Sequence, residues 1–389
     1  MILRFADSIL NVDSRSLSRG GEQVAVEPQV FDLIRLLAEN AERVVTRDEI
    51  VQEVWGGRIV SESAVSSRIA SARKAVGDDG RRQAVICTVQ RRGLKMAVPV
   101  AFDAMLPPAT GPTSIPVRYA TADDGATLAF ASGGCGPSVV AVGNFMTDVE
   151  KEMRVDGLHE LHDAVMRQNR LLRFDQRGAG LSRHRLDRVD IDQTVEDMRA
   201  VLDAAGLNRT AVFARSGGAL TALTFAARHP ERVTRLVVIG GYIDGRVRRA
   251  GGDDPASDPI RGLIEEGWQD PHSVFMTAFA TAYFPEAPED FARGLAAYFQ
   301  ANTSRENILA FRDMLNQASV EDCLSSVTCP VLVIHARHDR VHPLSEARKM
   351  AAGIAHAELL VLDSGNHMPL PGQAGWDAYL KAALDFLRD

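Results

Sequence analysis

The run Arg209–Leu220, RTAVFARSGGAL, constrains this chain more than any other stretch. An apolar, strand-like segment ends at Ala214, Ser216 follows, Gly217 and Gly218 come next, and a helix-forming segment starts at once. A strand that turns sharply into a helix leaves no space beside the turn, so the residues flanking the serine must be small. The helix N-terminus then favours negative charge developing near the hydroxyl. Ala214 stands where glycine is commoner. Taken alone, the pattern fits either an exposed nucleophile or a merely structural tight turn.

A nucleophilic serine needs a base, and the base needs an acid to orient it. The apolar run VLVIHA leads into RHDRVHP and puts Asp339 in the loop just after it. LLVLD leads into SGNHMPL and puts His367 in the last strand–helix loop. From residue 114 onward, short apolar runs predict strands near 117–121, 126–132, 138–143, 170–175, 209–214, 235–240, 330–336 and 358–362, with amphipathic segments between most of them. That alternation predicts a mostly parallel sheet with helices on both faces. The order Ser216, Asp339, His367 is the chain order of α/β-hydrolases. Residues 117–389 resemble that superfamily, also through FDQRGAGLS at 174–182 and FAARHPERVTRLVVIGGY at 225–242. The resemblance implies a serine hydrolase of esterase or lactonase type, with Ser216 as nucleophile, His367 as base and Asp339 orienting it. It also implies an oxyanion hole made by the amides of Phe145 and Gly217. This sequence has Gly143-Asn144 where the superfamily usually has His-Gly, a departure that bears on ordinary esterase geometry.

Other residues compete for these roles. Asp363 and Asp244 are alternative acids, Asp363 being better suited to shaping the histidine loop. His335, His338 and His342 flank Asp339 but lack the carboxylate pattern of a metal site, so neither metal nor cofactor is expected. Asp175 and Arg177 suit bracing of the loop around Gly178 and Gly180. Asn144 and Arg215 are the candidate ligand contacts, and Arg215 could equally pair with an acid beside the serine. Residues 243–328, between the sixth and seventh strands, predict a helical cap. Its aromatics Trp268, Phe275, Phe279, Tyr283, Phe284, Phe291, Tyr298, Phe299 and Phe311 suit a pocket roof or plain cap core.

Pro107, Pro108, Pro112 and Pro116 mark residues 103–116 as a linker, because proline at this density disfavours helix. It separates residues 1–102 from 117–389. The first segment predicts strands near Leu3–Phe5 and Val24–Val26 and a helix over 28–40 with Phe31, Leu33, Ile34, Leu36 and Leu37 inward. A second helix follows an N-cap at Thr46 and ends at Trp55, and a third starts after Ser61 or Ser63. Two strands, about 84–89 and 94–98, surround Gln90-Arg91-Arg92-Gly93. Three helices and a basic-tipped hairpin make a winged helix-turn-helix. Residues 24–99 resemble the OmpR/PhoB-type effector domain through VFDLIRLLAENAERVVTRDEIVQEVWGG, SRIASARKAVGDDG and ICTVQRRGLKM. Leu94 stands where that family usually has tyrosine. The resemblance implies that the third helix enters the major groove of double-stranded DNA through Ser66, Ser67, Arg68, Ser71, Arg73 and Lys74. The wing would touch the adjacent minor groove through Arg91, Arg92 and Lys95.

The net charge of −7 argues against a basic nucleic-acid binder, but the average misleads. Residues 61–100 carry 8 basic and 3 acidic side chains, and local excess is what meets phosphate. Cys87, Cys135, Cys323 and Cys329 are scattered without paired spacing, as in a reducing compartment. The N-terminus does not read as a signal peptide, no apolar run is long enough to span a membrane, and cytoplasm is the expected location. A phosphorylatable receiver ahead of the effector domain is not expected, and the signal is expected from elsewhere in the chain. The combined expectation is an α/β chain: a winged helix-turn-helix, then an α/β-hydrolase domain with a helical cap. It would act as a one-component transcription regulator, with DNA and a small molecule as partners and a homodimer as the working form. An inactive hydrolase-fold receptor and a hydrolase with a vestigial DNA-binding domain remain the alternatives.

Overall fold

The computed structural model describes residues 2–388 except 13, 14, 21, 42, 58, 59, 91, 104–114, 183, 253, 255–257, 271 and 272. It divides into two units, Met1–Met105 and Leu106–Asp389. Most of the expected linker, 104–114, lies outside the described residues.

In the first unit, β1 (Ile2–Phe5), β2 (Ser8–Asn11), β3 (Ser16–Arg19) and β4 (Glu22–Val24) form an antiparallel meander. Then come α1 (Pro28–Glu39), α2 (Arg47–Trp55), α3 (Glu62–Ala75) and the hairpin of β5 (Ile86–Val89) and β6 (Gly93–Met96). The last strand, β7 (Ala101–Asp103), returns to β1, giving the sheet order β4-β3-β2-β1-β7. Leu3, Leu10 and Leu17 are fully buried beneath this sheet. Helix α1 begins with proline, whose missing N–H costs nothing at that position. Its inward residues Phe31, Leu33, Ile34, Leu36 and Leu37 are all buried, as their spacing predicts. Thr46 and Glu49 cap each other's backbone at the start of α2, and Gly56 ends it at φ 62°. The cap of α3 is Ser61, which accepts from the Ala64 N–H at 3.3 Å. Strands β2, β3 and β7 were not predicted, and β4 ends at Val24 instead of reaching Val26.

The second unit holds an eight-stranded sheet of β8 (Val117–Thr121), β9 (Thr127–Gly133), β10 (Ser138–Val142), β11 (Arg170–Phe174), β12 (Thr210–Arg215), β13 (Val233–Ile239), β14 (Val331–Ala336) and β15 (Ala357–Leu362). Their order is β15-β14-β13-β12-β10-β11-β9-β8. Strands β10 to β15 run parallel, while β9 is antiparallel to both β11 and β8. Strand alternation sorts the core into two layers. Val140, Val142, Val212, Ala214 and Val238 pack on one side with Val195 and Met198 of α5 (Ile191–Ala204) and Leu220 and Phe225 of α6 (Gly218–Arg228). Val139, Ala141, Phe213, Val237 and Ile334 pack on the other with Leu161 and Val165 of α4 (Leu158–Met166) and Trp376 and Tyr379 of the C-terminal helix (Trp376–Arg388). Both faces being covered explains why the central strands are unbroken apolar runs.

Between β13 and β14 lie α7 (Arg246–Arg249), α8 (Pro259–Gly267), α9 (Val274–Tyr283), α10 (Glu289–Asn302) and α11 (Arg305–Gln317), which form the cap. Among the described residues no helix is long and apolar enough to cross a membrane.

Candidate functional site

Strand β12 is buried along its whole length and delivers the chain to Ser216, which sits at φ 51°. This left-handed conformation is rare for a residue with a Cβ and marks strain of about 1–3 kcal/mol. The Ser216 N–H donates to Ile239 O at 2.9 Å, and α6 begins two residues later. Gly218 has to be glycine, because a Cβ there would lie 2.4 Å from Val142 O and 2.6 Å from Gly143 O.

Asp339 follows β14 with a fully buried carboxylate. Its Oδ1 accepts the N–H of Val341 at 2.7 Å and of His342 at 3.2 Å, and its Oδ2 lies 2.7 Å from His367 Nδ1. Burial pushes the carboxyl pKa up, but His367, His335 and the backbone donors outweigh burial and the pKa falls below the usual carboxylate value. An ionised Asp339 accepts from Nδ1–H and leaves Nε2 of His367 as the basic lone pair. That Nε2 is buried and has no hydrogen-bond partner among the described residues, and His367 and Ser216 line the same cavity. The backbone N–H of His367 donates to Tyr283 O of the cap at 2.7 Å, and the Tyr283 ring meets the imidazole edge-on at 5.4 Å. Gly240, at φ 59°, allows the imidazole to come close, since a Cβ there would stand 2.7 Å from its Cε1.

Glu286 also secures the histidine loop, a contact not visible in the sequence. Its Oε1 accepts from the Gly365 N–H at 2.8 Å and its Oε2 from Ser364 Oγ at 3.2 Å, while its own N–H donates to Asn366 Oδ1 at 2.9 Å. The neighbouring imidazoles are structural. His335 is fully buried, with Nε2 3.0 Å from His342 O, and His342 stacks on Tyr242 at 3.9 Å. Burial lowers the pKa of both, so both are neutral. His338 is exposed and lies 3.8 Å from Asp363. Asp363 is thus on the outside of the loop, and Asp244 is engaged with Lys349 at 3.4 Å. No cluster among the described residues has the makings of a metal site.

The loop after β10 carries Asn144 and Phe145. Asn144 Oδ1 accepts from the Met146 N–H at 3.0 Å, and Gln176 Nε2 donates to Gly143 O at 3.1 Å. Asp175 accepts the N–H of Val149 and of Leu181, both at 2.8 Å. Burial, together with the charges of Glu152 and Asp148, raises its pKa to about 8 against the pull of those two donors. Arg177 grips Asp197 at 2.7 and 2.6 Å. Arg215 pairs with Glu152 at 2.9 Å, and its buried Nε has no partner among the described residues. Both residues of that pair line the cavity beside Ser216. The cavity spans about 730 Å³, its opening to solvent included, and is roofed by Tyr283, Phe284, Phe291, Tyr298 and Phe299 of the cap. Phe275 is no part of the roof, being 49% exposed, and Trp268 and Phe311 pack inside the cap.

The DNA-facing candidates divide sharply. Ser66, Ser67, Lys74 and Arg92 are exposed, and Arg68, Ser71 and Lys95 are half-buried. Arg68 reaches Glu27 at 2.9 Å and Gln29 at 3.2 Å. Arg91 lies outside the described residues. Arg73 requires a correction: it is buried, with Nε donating to Ile86 O at 3.0 Å and Nη2 to Thr88 Oγ1 at 2.9 Å. It ties α3 to the wing and is not free to meet a base. Asp78 performs a similar service. Burial opposes its ionisation, yet N–H donors from Ile86, Val85, Ala84 and Asp79 bring its pKa down to about 2. Leu94 is buried, its backbone pairs with Val45, and a Cβ on Gly93 (φ 148°) would meet Val45 O at 2.0 Å.

A capped parallel sheet bearing this serine, histidine and aspartate defines a hydrolase-fold protein, and a winged helix-turn-helix region precedes that fold. The chain belongs to the alpha/beta hydrolase fold family, which residues 156–372 match. Residues 21–96 match the C-terminal domain of transcriptional regulatory proteins, the OmpR/PhoB type. The chain is 30% identical over 204 residues to a 2-hydroxymuconate semialdehyde hydrolase of Pseudomonas putida, covering 51% of this chain and 70% of that one. The transcriptional activator CadC of Escherichia coli (strain K12) is 33% identical over 102 residues, which is 26% of this chain and only 20% of CadC. Similar solved structures include the enol-lactonase of Burkholderia xenovorans LB400 (TM-score 0.57, 22% identity, 70% of this chain and 100% of that one). An esterase of Exiguobacterium antarcticum aligns with TM-score 0.61 at 21% identity over 70% of this chain and 99% of its own.

Proposed function

We propose that the chain is a one-component transcription regulator: residues 1–102 bind double-stranded DNA, residues 103–116 link, and residues 117–389 sense and hydrolyse a small ester or lactone. The observation that carries the reading is the 2.7 Å contact of His367 Nδ1 with Asp339, which leaves Nε2 unpartnered in the cavity wall it shares with Ser216. A domain that only bound its ligand would have no need of an oriented, unpartnered base beside a strained serine.

Chemistry follows from that geometry. Ser216 Oγ attacks the carbonyl carbon as its proton passes to His367 Nε2, and Asp339 holds the resulting imidazolium. The amides of Phe145 and Gly217, which have no hydrogen-bond partner among the described residues, donate to the oxyanion. His367 then protonates the departing alkoxide, leaving an acyl-serine. A water attacks that ester with His367 again taking the proton, and the acid leaves as Ser216 is restored. Asn144 and Arg215 supply polar contacts to the ligand. Ligand that favours one arrangement of the chain would change its affinity for DNA by the same differential. We place the protein in the cytoplasm, acting as a homodimer on two half-sites.

A fluorophosphonate probe tests the catalytic half. Intact mass should show one adduct on the wild type, with fluoride lost, and none on Ser216→Ala. Folded protein that retards DNA but takes no label would sink hydrolysis and leave a receptor. Labelled protein with no affinity for any duplex at low salt would sink regulation.

A further inference from the structure

Ser216, Asn144 and Tyr283 line a second cavity as well, of about 600 Å³. Its character is opposite to that of the first. Among the described residues no aspartate or glutamate lines it, while Arg246, Arg312 and Arg340 all do. Arg312 is engaged with Asp258, which Asn316 also holds at 2.7 Å, yet its buried Nε has no partner among the described residues. Arg246 and Arg340 have no carboxylate within ion-pair distance among the described residues. In the first cavity Arg215 pairs with Glu152, which Arg173 also approaches at 3.8 Å, and the other lining carboxylate, Asp156, is exposed to solvent. One serine thus faces a wall of surplus positive charge on one side and a mostly apolar chamber on the other.

Charges of one sign in a concave, low-dielectric wall focus their field on whatever enters. A guanidinium presents a planar fork that a carboxylate can meet with two hydrogen bonds, and such charge-assisted bonds are stronger than neutral ones. Among the described residues the first chamber offers an anion no such fork, since its one lining guanidinium, Arg215, is held by Glu152. From this asymmetry we infer that the second cavity is a carboxylate subsite: Arg246 and Arg340 hold an acid group on the acyl portion of an ester or lactone whose carbonyl lies at Ser216. The apolar leaving portion occupies the first chamber. The inference rests on the reading of this domain as one that takes an ester-type ligand, and it narrows the class to molecules bearing a carboxylate a few carbons from the scissile carbonyl.

Two esters of matched shape test it. One is mono-p-nitrophenyl glutarate, and the other is p-nitrophenyl 5-methylhexanoate, in which an isopropyl group replaces the carboxylate. Binding is measured by calorimetry on Ser216→Ala protein, so that turnover plays no part. The glutarate ester should bind about tenfold more tightly or better, and the difference should shrink as sodium chloride is raised. In Ser216→Ala carrying Arg246→Gln and Arg340→Gln the two affinities should converge. Because Arg340 is exposed, Arg340→Gln alone should remove part of the preference even where the Arg246 change disturbs folding. Equal affinities, no measurable binding of the glutarate ester, or a preference that survives both substitutions would overturn the subsite. Wild-type turnover separates the two readings. Cleavage of both esters with equal kcat/KM leaves hydrolysis standing and removes the subsite. Charge preference in Ser216→Ala, with neither ester cleaved by wild type, leaves the subsite standing and removes hydrolysis.

Discussion

Nδ1 of His367 lies 2.7 Å from Oδ2 of Asp339, and the opposite nitrogen of the same ring has no partner among the described residues. The contact sets the tautomer: a carboxylate can only accept, so the proton must be on Nδ1. Asp339→Asn ends that certainty, because an amide nitrogen can donate to Nδ1 and move the proton to Nε2. The fold should survive, since Asn retains the oxygen that serves Val341 and His342. Fluorophosphonate labelling should slow by roughly three to four orders of magnitude. A labelling rate within tenfold of wild type would remove Asp339 from the mechanism.

Gly218 is where the elbow is tightest. A methyl group there meets the carbonyl oxygens of Val142 and Gly143, which are backbone and cannot swing aside. Gly218→Ala must therefore displace the end of β10 and the following loop, which carries the Phe145 amide. We expect a loss of about 1–3 kcal/mol, seen as a lower melting temperature, together with slower labelling. Gly206→Ala is a useful contrast, because nothing lies within 4 Å of its Cβ position. At φ 69° it should cost only backbone strain and leave labelling unaffected. Equal labelling by the two variants would show that the crowding at Gly218 has no bearing on the site.

Much of this was legible because the residues involved announce themselves locally. The small residues around Ser216 reflect a sterically forced turn, and Asp339 and His367 each follow an apolar strand that the sheet buries on both faces. The eight strands of the hydrolase sheet lie close to where their apolar runs place them. Strands β2, β3 and β7 (SILN, SLSR and AFD) hold too few apolar residues between polar ones for alternation to show. The Glu286 clamp and the three guanidiniums of the second cavity could not be read at all. Glu286 meets residues 78 or more positions away, and Arg246, Arg312 and Arg340 come from separate elements that only the cap's folding assembles. Arg73 shows the reverse error. A basic side chain on a presumed recognition helix reads as a DNA contact, yet the helix has an inward face and position 73 is on it, beside Ala72 and Val76.

Arg73 and Lys74 should consequently behave differently, although they are neighbours of the same charge. Arg73→Ala removes two hydrogen bonds from the wing and leaves Ile86 O short of a partner, which should destabilise the first unit by about 1–3 kcal/mol. Lys74→Ala should leave the melting temperature unchanged and weaken binding of a mixed-sequence duplex, with a salt slope shallower by about one. Anisotropy titrations across sodium chloride concentrations, beside thermal melts, distinguish the two. A stable Arg73→Ala protein with a reduced salt slope would return Arg73 to the phosphate-binding face.

Asp78 gives the first unit a defined acid sensitivity. Its carboxyl pKa is about 2 in the folded chain against an ordinary 3.8, so the folded state favours the ionised form. The stability this contributes is therefore fully present above pH 3.8 and is lost as pH falls through that value towards 2. Asp78→Asn cannot accept four N–H donors as a charged group does, and should lower stability by about 1–3 kcal/mol at neutral pH. Acidification should narrow the gap, because protonating wild-type Asp78 weakens the same hydrogen bonds. Urea melts of residues 1–105 within the whole chain, followed through Trp55 with the other tryptophans replaced by phenylalanine, would measure both proteins from pH 7 down to pH 3. A gap that stays constant over that range would mean that the carboxylate's charge plays no part in holding the turn between α3 and β5.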